Sequence, residues 1–570
     1  MADDNNPKQL EMELQNWKEN DLDPILKKYG ERAAKFETRS EIPVKPLYTP
    51  LDFGGSDYLE RVNFPGRYPF TRGIYAEGYR TRTWFVRGLF GYGTAEETNQ
   101  RMKFLIDQGA TGLNIVFDAP TGWEGIDADN PMARGEVGKN GVSVNTLKDM
   151  EDMFEGLPIE KLNVTWASCV GASYIPLTAM YIAMAQKRGL DISCLNGAAI
   201  NDVFVGYSLN VCSLPYTHPK DALKDWCDGV EHAILHMPNW FPCSISSYEM
   251  GESGATPVQQ IAFTIAAAIS YTKALMERGI GAEEIAPKYA VFFSCGNNFL
   301  EEVAKYRALR RMWAKTFGGK FGVRSKRGLQ CRIHTQTSGL TLRAEQPFNN
   351  IVRAALQSLA AILGGTNSLY TDPYDEVLAL PTEESHRLAL RTQQIVIEET
   401  GVADTIDPLG GSYYVEHLTN KLEEEAWKLV DQVEEMGGMI EAIEKRYFRS
   451  LIDESYHRYL RAVDRNEKVI VGYNKYRQVE EELPIGIFEV DEALEEKQKR
   501  RLREVKEKRH PKAVEQALDR IAEISAQGEN VMDACIEAVK RYATHEEIIK
   551  AICRPRKSYS EEYRIMSSKF

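Results

Sequence analysis

Read for the spacing of its apolar positions, the chain divides into three stretches. Residues 1–60 are polar: Glu11–Tyr29 carries a loose helical pattern, and the Pro-rich run Ile42–Pro50 reads as an extended linker. From about Arg82 to Gly401, short β-branched and aromatic runs alternate with longer segments of helical periodicity. The runs predicted as strands are TWFVRGLF (83–90), GLNIVF (112–117), NVTWAS (163–168), ISCLNGA (192–198), CSISSYE (243–249), YAVFFSC (289–295), QCRIHTQT (330–337) and NSLYTD (367–372). Two helix starts are marked by capping boxes, Thr94 with Glu97 and Thr256 with Gln259, the latter followed by Pro257. After Gly410 the strand pattern stops. Leu418–Leu451 and Val490–His510 read as long helices, the second almost all charge and expected to be a solvated helix or linker. Its basic cluster, Lys499–Arg509, reads as an exposed face, with an anionic partner as the alternative. Pro511–Cys553 is a last helical piece.

Near-continuously apolar strands alternating with amphipathic helices indicate a parallel sheet covered on both faces. About eight such units point to closure, so the predicted class is α/β, a (β/α)8 TIM barrel with an N-terminal arm and a C-terminal helical region. An open doubly wound sheet is the alternative, but the Gly-rich phosphate turn it requires is absent. The expected divisions are an arm (1–60), a barrel (61–405), a helical linker region (406–510) and a helical tail (511–570).

Composition narrows the function classes. Of 570 residues, 43% are apolar and 27% charged, enough for a sizeable core. The 83 acidic and 70 basic side chains give a formal net charge of −13, which argues against a nucleic-acid partner. There is no apolar run long enough to span a bilayer and no signal-peptide pattern at the start, so a cytoplasmic location is expected. The nine cysteines are scattered without a C-x-x-C pair and read as reduced core fillers.

In such a barrel, ligands meet the C-terminal ends of the strands. That rule nominates Arg87, Leu89, Phe117, Asp118, Glu249, Gln336, Asp372 and Glu376. Asp118 and Glu249 form a possible carboxylate pair for acid–base work, with helix capping as the alternative for each. His334 reads as a core histidine. None of the P-loop, G-x-S-x-G or H-E-x-x-H motifs is present.

Longer stretches carry a resemblance. YPFTRGIYAEGYRTRTWFVRGLFGYGTAEETN (68–99), GLNIVFDAPT (112–121), DADNPMARGEVGKNGVSV (127–144), EEVAKYRALRRMWA (301–314), RIHTQTSGLTL (332–342), NNIVRAALQSLAAILGGTNSLYTDPYDEVLALPTE (349–383) and DPLGGSYYVE (407–416) resemble, in order, the methylmalonyl-CoA mutase family. The resemblance implies a coenzyme A-binding (β/α)8 barrel and an isomerase. In that family, acyl-CoA carbon skeletons rearrange with adenosylcobalamin, whose Co–C homolysis yields the radical that takes a substrate hydrogen. It places Tyr75, Gly78, Arg82, Phe85, Arg87, Lys288 and Ala290 at coenzyme A, where the cations suit phosphates. It places Phe117, Asn140, Leu209, Glu252, Gln336, Asp372, Glu376 and Ala379 at cobalamin or its adenosyl group. Asp372 and Glu376 suit ribose hydroxyls, with loop capping as the alternative.

The acyl pocket departs from the family pattern. The family's aromatic in R-Q-[YF]-A-G is Leu89 here, which leaves room for a bulkier branch; the 2-hydroxyisobutyryl-CoA enzymes carry Ile. The Arg that clamps a free carboxylate aligns with Asn210, which disfavours methylmalonyl-CoA. The family's S-G-Y-H is SSYE: Tyr248 keeps the aromatic, and Glu249 replaces a hydrogen-bond donor. Glu249 is then either protonated or facing a donor on the substrate. Val116 stands where the hydroxyisobutyryl enzymes carry Asp, so that substrate is disfavoured too, unless Glu249 takes over the role from another side.

The expected substrate is a branched, hydroxy- or amino-acyl-CoA, with Glu249, Leu89 and Asn210 as the reaction-pocket residues and no metal ligand in this chain. The family's cobalt-ligating Asp-x-His-x-x-Gly motif is absent from these residues. The resemblance therefore points to the large subunit of a split mutase, like the isobutyryl-CoA and 2-hydroxyisobutyryl-CoA mutases. A small cobalamin-binding subunit would ligate the cobalt in a heterotetramer or other hetero-oligomer. The alternatives are a degenerate subunit with a binding or assembly role, and a cofactor-free barrel hydrolase using Asp118 and Glu249.

Overall fold

A computed structural model describes residues 7–29, 35–53, 58–167, 171–209, 218–477, 486, 491 and 493–556. Eight parallel strands close into a barrel in sequence order: β1 Phe85–Phe90, β2 Gly112–Val116, β3 Asn163–Ala167, β4 Asn196–Ile200, β5 Trp240–Ser246, β6 Tyr289–Cys295, β7 Ile333–Thr337 and β8 Ser368–Tyr370. The predicted barrel is therefore what the chain forms. Between them run α1 Ala95–Asp107, α2 Leu147–Met153, α3 Gly171–Lys187, α4 Pro219–His236, α5 Pro257–Glu277, α6 Phe299–Lys315 and α7 Asn349–Leu363, and α8 Glu383–Glu399 follows β8. Both capping boxes form: the Thr94 amide donates to Glu97 at 2.8 Å and the Thr256 amide to Gln259 at 2.9 Å.

Two strands are displaced from the prediction. Ile192–Cys194 is a 3-10 turn capped by Asp191, so β4 starts at Asn196. The fifth strand starts at Trp240, and Tyr248–Glu252 is a short helix, which puts Glu249 in a helical turn just beyond the strand.

Strand side chains of one parity pack outward against the helices. Trp166, Tyr181 and Trp240 form one such contact, with ring centroids 4.7 Å apart for Trp166–Tyr181 and Trp166–Trp240. The sequence of α5 is apolar on all sides because it lies between the barrel and α9 Tyr413–Glu435, which also covers α6. The α6 charges are buried in pairs: Arg307 Nη1 binds both Asp407 carboxylate oxygens at 2.6 Å while Nη2 binds Glu416. Arm residues Arg39 and Ser40 donate backbone amides to the Glu301 carboxylate on the same helix.

After α10 Tyr447–Asp464 comes the charged helix α11 Leu494–Lys508, which is not a solvated linker. Leu494, Gln498 and Leu502 are buried, and Arg501 pairs with Glu96, Asp149 and Asp152 of the barrel. The helices α12 Pro511–Gln527, α13 Met532–Lys540 and α14 His545–Cys553 complete the described chain, α13 lying against α3. No described helix is long and apolar enough to cross a membrane. The described cysteines, Cys194, Cys227, Cys243, Cys295, Cys331, Cys535 and Cys553, are free thiols. The other two, Cys169 and Cys212, lie outside the described residues.

Candidate active site

A cavity of about 480 Å³ opens at the C-terminal ends of the strands. Nine of the nominated residues line it together: Leu89, Val116, Phe117, Asn140, Tyr248, Glu249, Gln336, Glu376 and Ala379. Leu89 and Val116 come from β1 and β2, where Leu89 is in register with Asn114. Gly91, the residue after β1, takes φ +135° because a Cβ there would sit 1.9 Å from the Val116 carbonyl oxygen. The Tyr248 ring stacks on Phe292 at 4.6 Å, and Phe292 stacks on His334 at 4.8 Å, forming an aromatic ladder along one wall. Gln336 Nε2 donates to the Tyr248 hydroxyl at 2.8 Å and to Asp372 Oδ1 at 2.9 Å. The Ser246 hydroxyl donates to Glu249 Oε2.

Other nominated residues stand behind this lining. Asp372 is buried and Glu252 half-buried, and Glu252 accepts the Leu340 amide at 2.6 Å. Asp372 Oδ2, Glu376 Oε2 and Glu252 Oε1 are buried with no hydrogen-bond partner. Burial is the main force raising all three carboxyls, Glu252 to about 7 and Glu376 to about 8. Glu376 also feels Asp375 and Glu252, and Asp372 feels Glu376 and Glu252. Leu209, at the end of a short helix after β4, is buried, with its carbonyl taken by Arg449. Asn210 lies outside the described residues.

Asp118 does not pair with Glu249 in the cavity. It is fully buried and caps the next turn, accepting the Thr121 amide at 2.9 Å and the Gly138 amide at 2.7 Å. The capping alternative is the one realised, because a strand-end carboxylate meets the unpaired amides of the following loop.

The remaining nominated residues gather at the opposite, N-terminal end of the strands. Tyr75, Arg82 and Phe85 are exposed, and Gly78 adopts φ +57° beside Ile406. Arg87 lies inside the barrel, not at the surface: it donates to Asn163 Oδ1 at 2.6 Å, and burial lowers it to about 10. Lys288 Nζ caps the Met237 and Pro238 carbonyls at 3.1 and 2.9 Å, and burial lowers it as well.

Between the two ends the barrel axis differs from the packed interior of an ordinary (β/α)8 barrel. The inward parity carries small and polar side chains, including Gly112, Asn114, Asn163, Thr165, Ala198, Ser244, Ala290 and Ser368. Ala198, Ala290 and His334 are partly exposed, whereas their outward neighbours Ala199, Val291 and Ile333 are buried. Arg87 Nε, Asn114 Oδ1, Thr165 Oγ1 and His334 Nε2 are buried along it without partners. Buried polar atoms are normally satisfied, so this column of unpartnered groups stands out from the apolar interior around it.

Nomination by strand ends missed Asn114, Trp123, Ala167, Ile200 and Phe292 of the lining. Four of these were within reach of parity: Asn114 is two residues before Val116, and Ala167, Ile200 and Phe292 are register-linked through β3, β4 and β6. A larger cavity, about 560 Å³, lies on the outer side between the arm, α9 and α10. Its lining charges pair with one another, as in Arg458–Glu41 and Lys428–Glu425.

The sequence model for methylmalonyl-CoA mutase matches residues 37–557. The chain belongs to the methylmalonyl-CoA mutase family. This makes it one of the CoA mutases, which are isomerases. Among its relatives, the 2-hydroxyisobutanoyl-CoA mutase large subunit of Aquincola tertiaricarbonis is 40% identical over 547 residues, 95% of this chain and 96% of that protein. The methylmalonyl-CoA mutase of Rhizobium meliloti is 39% identical over 520 residues, 91% of this chain and 72% of that protein. The methylmalonyl-CoA mutase large subunit of Porphyromonas gingivalis is 38% identical over 521 residues, 91% and 72% of the two chains.

Proposed function

We propose that this mutase-family chain is the substrate-binding large subunit of an adenosylcobalamin-dependent acyl-CoA mutase, acting on a branched or substituted acyl-CoA and not on methylmalonyl-CoA. The observation that carries the reading is the small and polar inner face of the barrel, with its buried unpartnered polar atoms, between the basic N-terminal end and the cavity. A coenzyme A molecule fits that path: its phosphates near Arg82 and Lys288, its amide-bearing arm beside Arg87, Thr165 and His334, and its thioester in the cavity. The relative at 40% identity is named a large subunit, which supports a separate cobalamin-binding partner.

The orphaned carboxyl oxygens of Glu252, Asp372 and Glu376 suit the hydroxyls of an adenosyl group, with Phe117, Asn140 and Ala379 beside it. Adenosylcobalamin, when bound, supplies a carbon-centred radical by homolysis of its Co–C bond. The chain's own residues bind and orient. Gln336 fixes the Tyr248 hydroxyl, Tyr248 and Phe292 form a flat wall that shields the reacting acyl group from water, and Leu89, Val116, Ala167 and Ile200 give an apolar wall for a branch. Glu249 is the group in this lining that receives a hydrogen-bond donor from the acyl chain.

The test combines the chain with adenosylcobalamin and a cobalamin-binding subunit on a panel of acyl-CoAs. Branched or substituted acyl-CoAs are expected to isomerise, with methylmalonyl-CoA untouched. Turnover of methylmalonyl-CoA alone would refute the substrate reading. Absence of any cobalamin-dependent isomerisation would refute the enzyme.

A further inference from the structure

We infer that Asn114 is a substrate-binding residue: its side-chain oxygen takes the N–H of the amide nearest the sulfur of coenzyme A, and so sets how deep the acyl group sits. This rests on the acyl-CoA mutase reading and deepens it. Asn114 stands where the inner face of the barrel changes character. On β2 it pairs in register with Leu89 of β1 and with Thr165 of β3. Two residues further along the strands, Val116, Ala167 and Ile200 form a register row that is wholly apolar and lines the cavity. Two residues the other way the face is polar, with Arg87 donating to Asn163 Oδ1 at 2.6 Å and to the Leu113 carbonyl at 3.3 Å. Asn114 is thus the last polar side chain on the inner face of β2 before the apolar wall.

Asn114 lines the cavity yet is 2% exposed, and its Oδ1 is buried with no hydrogen-bond partner. An acceptor left unpaired in the interior costs free energy, so a site that keeps one is matched to a donor brought from outside. The donors nearest in register do not serve it: Arg87 Nε and Thr165 Oγ1 are themselves buried without partners. The row of Val116, Ala167 and Ile200 has no side-chain donor to offer. A thioester carbonyl or sulfur has no proton to give, whereas an amide N–H is a donor that every acyl-CoA carries. The amide nitrogen nearest the sulfur lies four bonds from the thioester carbon, about 5–6 Å when extended. The step from the Asn114 row to the apolar row is two strand residues, about 6.6 Å. With that N–H on Asn114, the acyl group stands at the wall of Val116, Ala167 and Ile200.

Calorimetric titration of the full chain tests this without cofactor. The probes are isobutyryl-CoA, its analogue with an ester oxygen in place of that N–H, and 2-hydroxyisobutyryl-CoA. Isobutyryl-CoA is expected to bind about tenfold or more tighter than the ester analogue, which leaves Oδ1 facing a second acceptor. Asn114→Leu, close in volume and without an acceptor, should bind the two with equal affinity. Equal binding by the wild-type chain overturns the inference whatever the variant does, and so does a preference that survives Asn114→Leu. A gain from the acyl hydroxyl that Asn114→Leu removes, without an amide–ester difference, would give Oδ1 to the acyl group and overturn it too. No binding of any acyl-CoA by the wild-type chain sinks the acyl-CoA reading as well, whereas equal binding of amide and ester sinks the role of Asn114 alone.

Discussion

Glu376 shows what burial does to a single side chain. It is half-buried, with its Oε2 shut away from water and unpartnered, and is pushed up to about 8, with Glu252 at about 7 and Asp372 raised in the same direction. Away from the cluster, buried Asp118 and Asp202 are raised to about 6 and Asp127 to about 7, again chiefly by burial. In the unfolded chain such groups titrate near 4, so between pH about 4 and 8 the folded state holds more protons than the unfolded one. The associated stability is fully present below that window and is lost as pH rises through it. Tm should therefore fall between pH about 5 and 9. Glu376→Gln, which keeps the neutral form at every pH, should flatten the slope and raise Tm at the alkaline end. An unchanged slope in a thermal-shift series would place the titration at other groups. Gly91 is the steric counterpart. Its φ of +135° and the 1.9 Å approach to the Val116 carbonyl leave no room for a side chain. Gly91→Ala should cost about 2 kcal/mol or more, read as a lower Tm and a disturbed cavity wall.

At the scale of elements, periodicity predicted the strands well and the charged helix badly, for different reasons. A buried parallel strand is an apolar run, and six of the eight runs fell on their strands within a few residues. The fourth and fifth slipped because ISC and SSYE are also compatible with a turn and a short helix, and the side chains Asp191 and Ser246 decide the matter through contacts that spacing does not encode. For α11, composition reads as solvent because it counts charges without their partners. Those partners are distant in sequence: Arg501 meets Glu96 across 405 positions. The helix also rests on apolar contact, since Leu494 covers Gly93 and Gly138, where a Cβ would meet its methyl groups. Leu494→Ala should cost about 2–3 kcal/mol of docking. Amide exchange should rise across residues 494–508 while the barrel strands keep their protection. A uniform rise throughout the chain would show instead that α11 folds as one unit with the barrel.

At the scale of the whole molecule, the sequence made the closed barrel legible but left its interior obscure. Strand ends nominated Leu89, Glu249, Gln336 and Glu376, whereas Asn114, Ala167 and Phe292 emerged only with the register that places them on the inner face. Small residues such as Ala198 and Ala290 look unremarkable in a strand pattern, because a sequence does not distinguish an alanine facing a helix from one facing the barrel axis. In a packed barrel the inner face is filled by bulky branched residues. Here that filling is absent along the path proposed for coenzyme A, so stability and ligand binding should respond in opposite directions to the same substitution. Ala290→Leu adds apolar volume where Ala290 is partly exposed on the inner face of β6, without facing the helices. Tm should be unchanged or higher, because Ala290 is partly exposed and the added carbons do not overpack a buried core. Coenzyme A affinity should fall about tenfold or more, because the axis is then too narrow. If the variant instead lost stability, the axis would be tighter than described. If it kept full affinity for coenzyme A, the ligand would have to reach the cavity by another route, and the polar column of Arg87, Thr165 and His334 would need a different explanation.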